Sequence, residues 1–107
     1  MKPGTFGSAP AAHKLVEIIE EISDIKEQLR VRRRIQQTLQ RCAVGLRQIG
    51  KIPDLAIRKT VIILWRTHSM NALNNSHSDT LQKYPLVISY ARNVVNGKVA
   101  DALRKAV

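Results

Sequence analysis

Cysteine is almost missing from this chain. Cys42 is the only one in 107 residues, which excludes a disulfide framework and a thiolate zinc cluster and leaves packing to hold the fold. Aromatic side chains are just as scarce: Phe6, Trp65, Tyr84 and Tyr90 make up 4% of the residues. None of them interleaves with the basic run between Arg30 and Arg41, so a stacking platform for single-stranded nucleic acid is not expected. Long apolar runs are absent too. The longest, Val61 to Trp65, has five residues, against the roughly 18 to 20 that cross a bilayer, so no membrane span is expected. The opening residues 1–13 hold no apolar block of roughly 7 to 15 residues, and no secretory signal is expected there.

Acidic residues are few. Eight Asp and Glu stand against 18 Lys and Arg, for a net charge of +10, which favours acidic partners while saying little about the fold. The charge is concentrated. Residues 1–29 sum to −2, residues 30–68 carry ten basic side chains against Asp54 alone for +9, and residues 69–107 carry +3. A uniformly basic coat would be spread more evenly. The ordinary explanation of such a run is a solvated helix face.

Residues 1–13 combine Pro3, Gly4, Gly7, Ser8 and Pro10 and read as a flexible lead-in. The remainder, 14–107, reads as one helical domain with a core over 14–68, a loop over 69–80 and C-terminal helices over 81–106. Leu15, Ile18, Ile19, Ile22 and Ile25 recur at helical spacing with Glu17, Glu20, Glu21 and Asp24 on the other side, which predicts an amphipathic helix. Leu29, Ile35, Leu39 and Cys42 predict a second helix with an arginine-rich outer face. Gly45 and Gly50 bracket a short segment with Leu46 and Ile49 apolar inside it and Val44 just before it; each glycine costs a helix about 1 kcal/mol relative to alanine, which predicts a short separate helix. Pro53 predicts a turn over Gly50–Pro53 with Asp54 as the cap of the next helix. Leu55 to His68 is a fourth stretch of helix, in which Leu64 and Trp65 are expected to pack on Ile18, Ile22 and Leu46. The Asn- and Ser-rich segment 69–80 predicts a loop. Pro85 opens a further helix, Asn96-Gly97 predicts its stop, and Lys98–Ala106 a last one. The expectation is an all-α fold: a compact right-handed bundle of about five short helices with a C-terminal helical extension.

Catalytic chemistry is poorly supplied. A nucleophilic site needs Ser, Cys or Thr beside a positioned base, and the bases on offer are His13, His68 and His77. Cys42 lies on an apolar stripe, where an inert buried thiol is the common outcome. Glu20, Glu21 and Asp24 sit on an exposed helix face, and no glycine-rich phosphate loop joins a strand to a helix. Neither an enzyme nor a bound metal or cofactor is expected.

The order of motifs resembles the N-terminal domain of transcription elongation factor TFIIS, a family that includes the integrase-binding domain of lens-epithelium-derived growth factor. Leu15–Ile25 (LVEIIEEISDI) is similar to the family's first helix, written roughly LxxLLxxLxxM. Val44–Trp65 (VGLRQIGKIPDLAIRKTVIILW) is similar to its VxxLR opening, short turn and helix ending in Leu-Trp, here Leu64-Trp65. The resemblance covers Leu15 to His68. Where the family has a Thr-x-Ile-Gly stretch this chain has arginines and about two extra residues, and some forty residues follow Trp65. The resemblance implies a nuclear, monomeric scaffold that binds acidic segments of disordered partners through a hydrophobic anchor. In the integrase-binding version the partner docks at the tip matching Gly50–Leu55. Ile52 falls on the apolar anchor position, Arg47 and Lys51 on basic ones, and Asp54 where that version has an apolar residue.

Two functions follow as expectations. One is a protein-interaction module in which Ile52 and Leu55 hold an apolar anchor while Arg47, Lys51, Arg58 and Lys59 attract the acidic residues beside it. The alternative is a nucleic-acid binder that uses Arg30, Arg32, Arg33, Arg34 and Arg41.

Overall fold

Asp24 and Asp54 begin the two central helices in the same way. Asp24 Oδ1 accepts hydrogen bonds from the amides of Lys26 (2.9 Å) and Glu27 (3.2 Å), and Asp54 Oδ1 accepts one from Ile57 (2.9 Å), so amide groups that open a helix without partners are satisfied. The computed structural model describes residues 9–74 and 79–106. Its helices are α1 (Ala9–Glu20), α2 (Ile25–Ile49), α3 (Leu55–Asn74), the single turn α4 (Asp79–Gln82) and α5 (Pro85–Lys105), and the described residues include no strand. The fold is all-α. Residues 1–8, most of the expected lead-in, and 75–78 of the expected loop lie outside the described residues.

A side chain of the following helix secures each of the first two turns. Gln28 Nε2 donates to the carbonyls of Glu20 (3.2 Å) and Ile22 (3.0 Å) between α1 and α2. Arg58 Nε donates to the carbonyl of Ile52 (2.8 Å), and its Nη2 to that of Pro53 (3.4 Å), between α2 and α3. Leu15, Ile19 and Ile22 are buried as expected, but Ile25 is 64% exposed. The chain leaves the helix between Glu21 and Asp24, so α2 starts in a new phase. For the same reason Val31 and Ile35 supply the buried stripe of α2, together with Cys42, Leu46 and Ile49, and Leu29 is exposed.

Three expected breaks are absent. Helix α2 runs 25 residues straight through Gly45, because the missing side chain is what admits the Trp65 indole: a methyl carbon at residue 45 would lie under 3.0 Å from Cε2, Cζ2 and Nε1 of that ring. Trp65 Nε1 also donates to the Cys42 carbonyl at 3.1 Å. Residues 69–74 of the expected loop are helical, since Ser69 and Leu73 are buried and carry α3 on to Asn74. Helix α5 passes through Asn96-Gly97 because Val94, Val95 and Val99 are buried on both sides of that pair, and Asn96 Oδ1 accepts a hydrogen bond from Arg66 Nε at 2.9 Å. Burial outweighs the local cost of glycine in both helices.

The core draws residues from all five helices. Helix α5 packs along α1 and α3, and α2 packs on both α3 and α5. The C-terminal helix is therefore the centre of the assembly, where the sequence reading makes it an extension. Leu64 does not enter the core: it is 63% exposed, while Trp65, one residue on, turns toward α2. The molecule is flat, with principal extents of 47 × 35 × 17 Å.

Candidate functional site

The last two turns of α2, the second turn of α3 and the end of α5 converge on an open groove of about 380 Å³. Its apolar lining comes from Leu46, Ile62, Ala102 and Ala106, and its cationic lining from Arg47, Arg58, Lys98 and Lys105. One acid, Asp101, lines it as well, and Asp101 pairs with Arg104. Leu46, Ile62 and Ala106 are buried, Arg58 and Lys98 half-buried, Arg47 and Lys105 exposed. The size is that of a small-ligand or side-chain pocket, and four cations around an apolar floor favour an anionic occupant with a hydrophobic part.

Of the residues expected at the tip, Arg47 and Arg58 line this groove; Lys51, Ile52, Leu55 and Lys59 do not. Ile52 is half-buried and packs on the core, with its amide bonded to the Ile49 carbonyl at 3.0 Å. Leu55 is 41% exposed in the first turn of α3, and Lys51 and Lys59 are exposed. Lys98, Lys105, Ala102 and Ala106 went unrecognised in the sequence, because nothing in local periodicity connects the end of α5 with the end of α2.

The second expected cluster lies on α2. Lys26, Arg30, Arg33, Gln37 and Arg41 follow one another at intervals of three or four residues and are all exposed, so they stand in one row about 22 Å long. No acid interrupts the row. Arg34 borders it, whereas Arg32 lies off the row, half-buried, 4.0 Å from the Glu20 carboxylate. Glu27, the acid nearest in sequence, is engaged by Lys83 at 3.5 Å and by the Tyr84 hydroxyl. At Arg41 the row meets a second cavity of about 370 Å³ between α2 and α3, lined by Thr38, Gln40, Arg41, Trp65 and His68, with Cys42, Ser69 and small apolar residues completing the wall. The Trp65 and His68 rings are stacked there, 4.9 Å between centroids and 30° between planes. The sequence reading found no aromatic beside the arginines; folding brings Trp65 to them from 24 residues beyond Arg41.

Two titratable groups are perturbed. Burial pushes the Cys42 thiol above its ordinary value, opposed in part by a hydrogen bond with Ser69 and by the charge of Lys98; such a thiol is a poor nucleophile. The Tyr84 phenol is held above its ordinary value, first by donating to the Glu27 carboxylate and then by burial and the charges of Glu27 and Asp24. Among the described residues no three His, Cys, Asp or Glu side chains gather as metal ligands, and no helix is long and apolar enough to cross a membrane. In comparisons with known proteins, no family model, no curated protein and no solved structure matches this chain.

Proposed function

We propose that this chain is a non-catalytic docking module that captures acidic segments of disordered partners by a single hydrophobic anchor. The observation that carries the reading is the groove at the α2–α3–α5 junction, where Arg47, Arg58, Lys98 and Lys105 surround the apolar Leu46, Ile62, Ala102 and Ala106. The apolar floor takes the anchor. The cations speed encounter and select acidic flanks, while burial of the anchor sets the lifetime of the complex. Part of this charge also answers the negative ends of α2 and α5, since Arg47 and Lys105 stand in their last turns, and Arg58 holds the α2–α3 turn; Lys98 has no such role.

The proposal extends to what the likeness of Leu15–Ile25 and Val44–Trp65 to the TFIIS N-terminal family implies: a right-handed bundle working as a monomer in the nucleus, within a transcription elongation or chromatin factor. The occupant is the same as in the tip-docking version. The docking place differs, because Ile52 packs inward and the neighbouring groove offers the apolar floor.

The test is an NMR titration of the whole chain with an Asp/Glu-rich peptide of about twelve residues bearing one phenylalanine. Shifts are expected on Leu46, Arg47, Ile62, Lys98 and Ala102. Exchanging the phenylalanine for alanine removes binding, and the double charge reversal Arg47→Glu, Lys105→Glu weakens it about ten-fold or more. Binding that ignores the phenylalanine, or shifts confined to residues 51–55, would refute the assignment.

A further inference from the structure

We propose that the outer face of α2 and the cavity at its Arg41 end form a binding site for single-stranded nucleic acid, separate from the peptide groove. Phosphates lie along the cations, and one base enters the cavity beside Trp65 and His68. Three features of the molecule support this. The first is the spacing of the row: Lys26, Arg30, Arg33 and Arg41 are exposed cations along one face of α2 with no acid among them. Helix neighbours at three or four residues stand roughly 5 to 6 Å apart, the order of the separation of successive phosphates along a single strand. The second is Gln37, which fills the one turn of the row that lacks a cation and offers an amide to sugar or phosphate oxygens.

The third feature is the cavity. A basic helix face by itself is most often only solvated, but this one leads into a recess that contains an aromatic stack. Trp65 is fixed by its bond to the Cys42 carbonyl and by its close seat over Gly45, so the indole is a rigid platform rather than a mobile surface ring. His68 stacks on it and is exposed. Gln40, Arg41 and His68 present hydrogen-bonding groups around the opening, positioned to meet the edge of a base without choosing strictly among the four. Stacking on aromatic rings beside a cationic groove is how single strands are held with little sequence preference.

The geometry favours a single strand over the other polyanions. A base paired within a duplex cannot enter a recess between two helices, so a duplex would meet the cations alone. An acidic peptide with an aromatic side chain could follow the row, but a phenyl ring has no polar edge to meet Gln40, Arg41 and His68 as a base does. RNA and single-stranded DNA share the recognised chemistry, bases and phosphates, and separate arms of one experiment distinguish them.

That experiment uses the whole chain, whose only tryptophan is Trp65, so intrinsic fluorescence reports on the cavity directly. Oligouridylate and oligothymidylate of about twelve nucleotides are titrated in parallel, with the same length of duplex and phosphatidylserine vesicles alongside. Saturable quenching by either oligonucleotide is expected, and the tighter of the two identifies the natural class. With four phosphates neutralised the affinity should fall about 50-fold between about 50 and 200 mM salt. Replacing Arg30, Arg33 and Arg41 together by glutamine should flatten that dependence to about the slope of one contact. His68→Ala should weaken binding about five-fold or more while leaving the salt slope as it was. Far-UV circular dichroism accompanies each variant, and the single substitution Arg41→Gln, with a smaller loss, replaces the triple one should that fail to fold. The proposal is overturned by absence of quenching, by equal or tighter binding of duplex or vesicles, or by a His68→Ala variant that binds as the parent does.

Discussion

Gly45→Ala is the sharpest probe of how the two long central helices meet. In an ordinary helix interior this change stabilises by about 1 kcal/mol, because alanine loses less backbone freedom and shields the chain. Here the added methyl would lie under 3.0 Å from three atoms of the Trp65 ring. The indole is flat and stiff, and moving it breaks the 3.1 Å hydrogen bond to the Cys42 carbonyl and disturbs the stack with His68. Overpacking of this kind costs about 1 to 3 kcal/mol, and the lost hydrogen bond about 0.5 to 1.5 kcal/mol. Set against the gain of about 1 kcal/mol, the variant should be about 2 kcal/mol less stable, a fall of about 10 °C in Tm for a domain of this size. Thermal and urea unfolding followed by far-UV circular dichroism measure this without relying on the perturbed tryptophan. The decisive control is the same substitution in a Trp65→Leu background, where the space above residue 45 is freed and Gly45→Ala should turn stabilising by about 1 kcal/mol. A Gly45→Ala variant that melts above the parent while Trp65 is present would refute the close approach.

Two further outcomes follow from charged and hydrogen-bonded groups. Tyr84 donates to the Glu27 carboxylate and its phenol is held above the ordinary value of about 10; the folded chain therefore keeps this proton when the unfolded chain has lost it. The contribution is complete below about pH 10 and is lost as pH rises through the folded-state value, so unfolding titrations should show an alkaline fall in stability that Tyr84→Phe removes. Replacing Arg32, Arg33 and Arg34 together by glutamine should change Tm by no more than a few degrees: Arg33 is exposed, and the Arg32–Glu20 pair, at 4.0 Å on the surface, is of a kind worth about 0 to 1 kcal/mol. A triple variant that does not fold would show that the arginines take part in the core.

The positions of helices were legible where one residue type decides locally. Pro53 and Asp54 predict the turn and the cap that begin α3, Pro85 predicts the start of α5, and Leu15 and Ile19 of the expected stripe are buried in α1. What could not be read was any place where a distant neighbour reverses a local preference. Gly45 and Gly97 signal breaks by their own propensity, yet a tryptophan 20 residues away fills the space over one and buried valines surround the other. The same holds for the candidate sites. Arg47 and Arg58 were visible in the basic middle of the sequence, but their partners Lys98 and Lys105 come from the far end of the chain, and only packing sets Trp65 beside Arg41. Leu64-Trp65 looked like a pair and acts as two residues, one facing solvent and one fixed to α2.

The central place of α5 has a consequence for the order in which the chain acquires its structure. Val87, Ala91, Val94, Val95 and Val99 supply the surface against which α1 and α3 lie, yet they are synthesised after both of those helices. Until they emerge, the apolar faces of α1 and α3 lack their main partner, and the closing contacts between α1 and α5 span most of the sequence. A bundle of neighbouring helices zipped by local contacts would fold quickly during synthesis. This one completes its core only after synthesis of α5, and until then the apolar faces that α1 and α3 turn toward α5 have no partner.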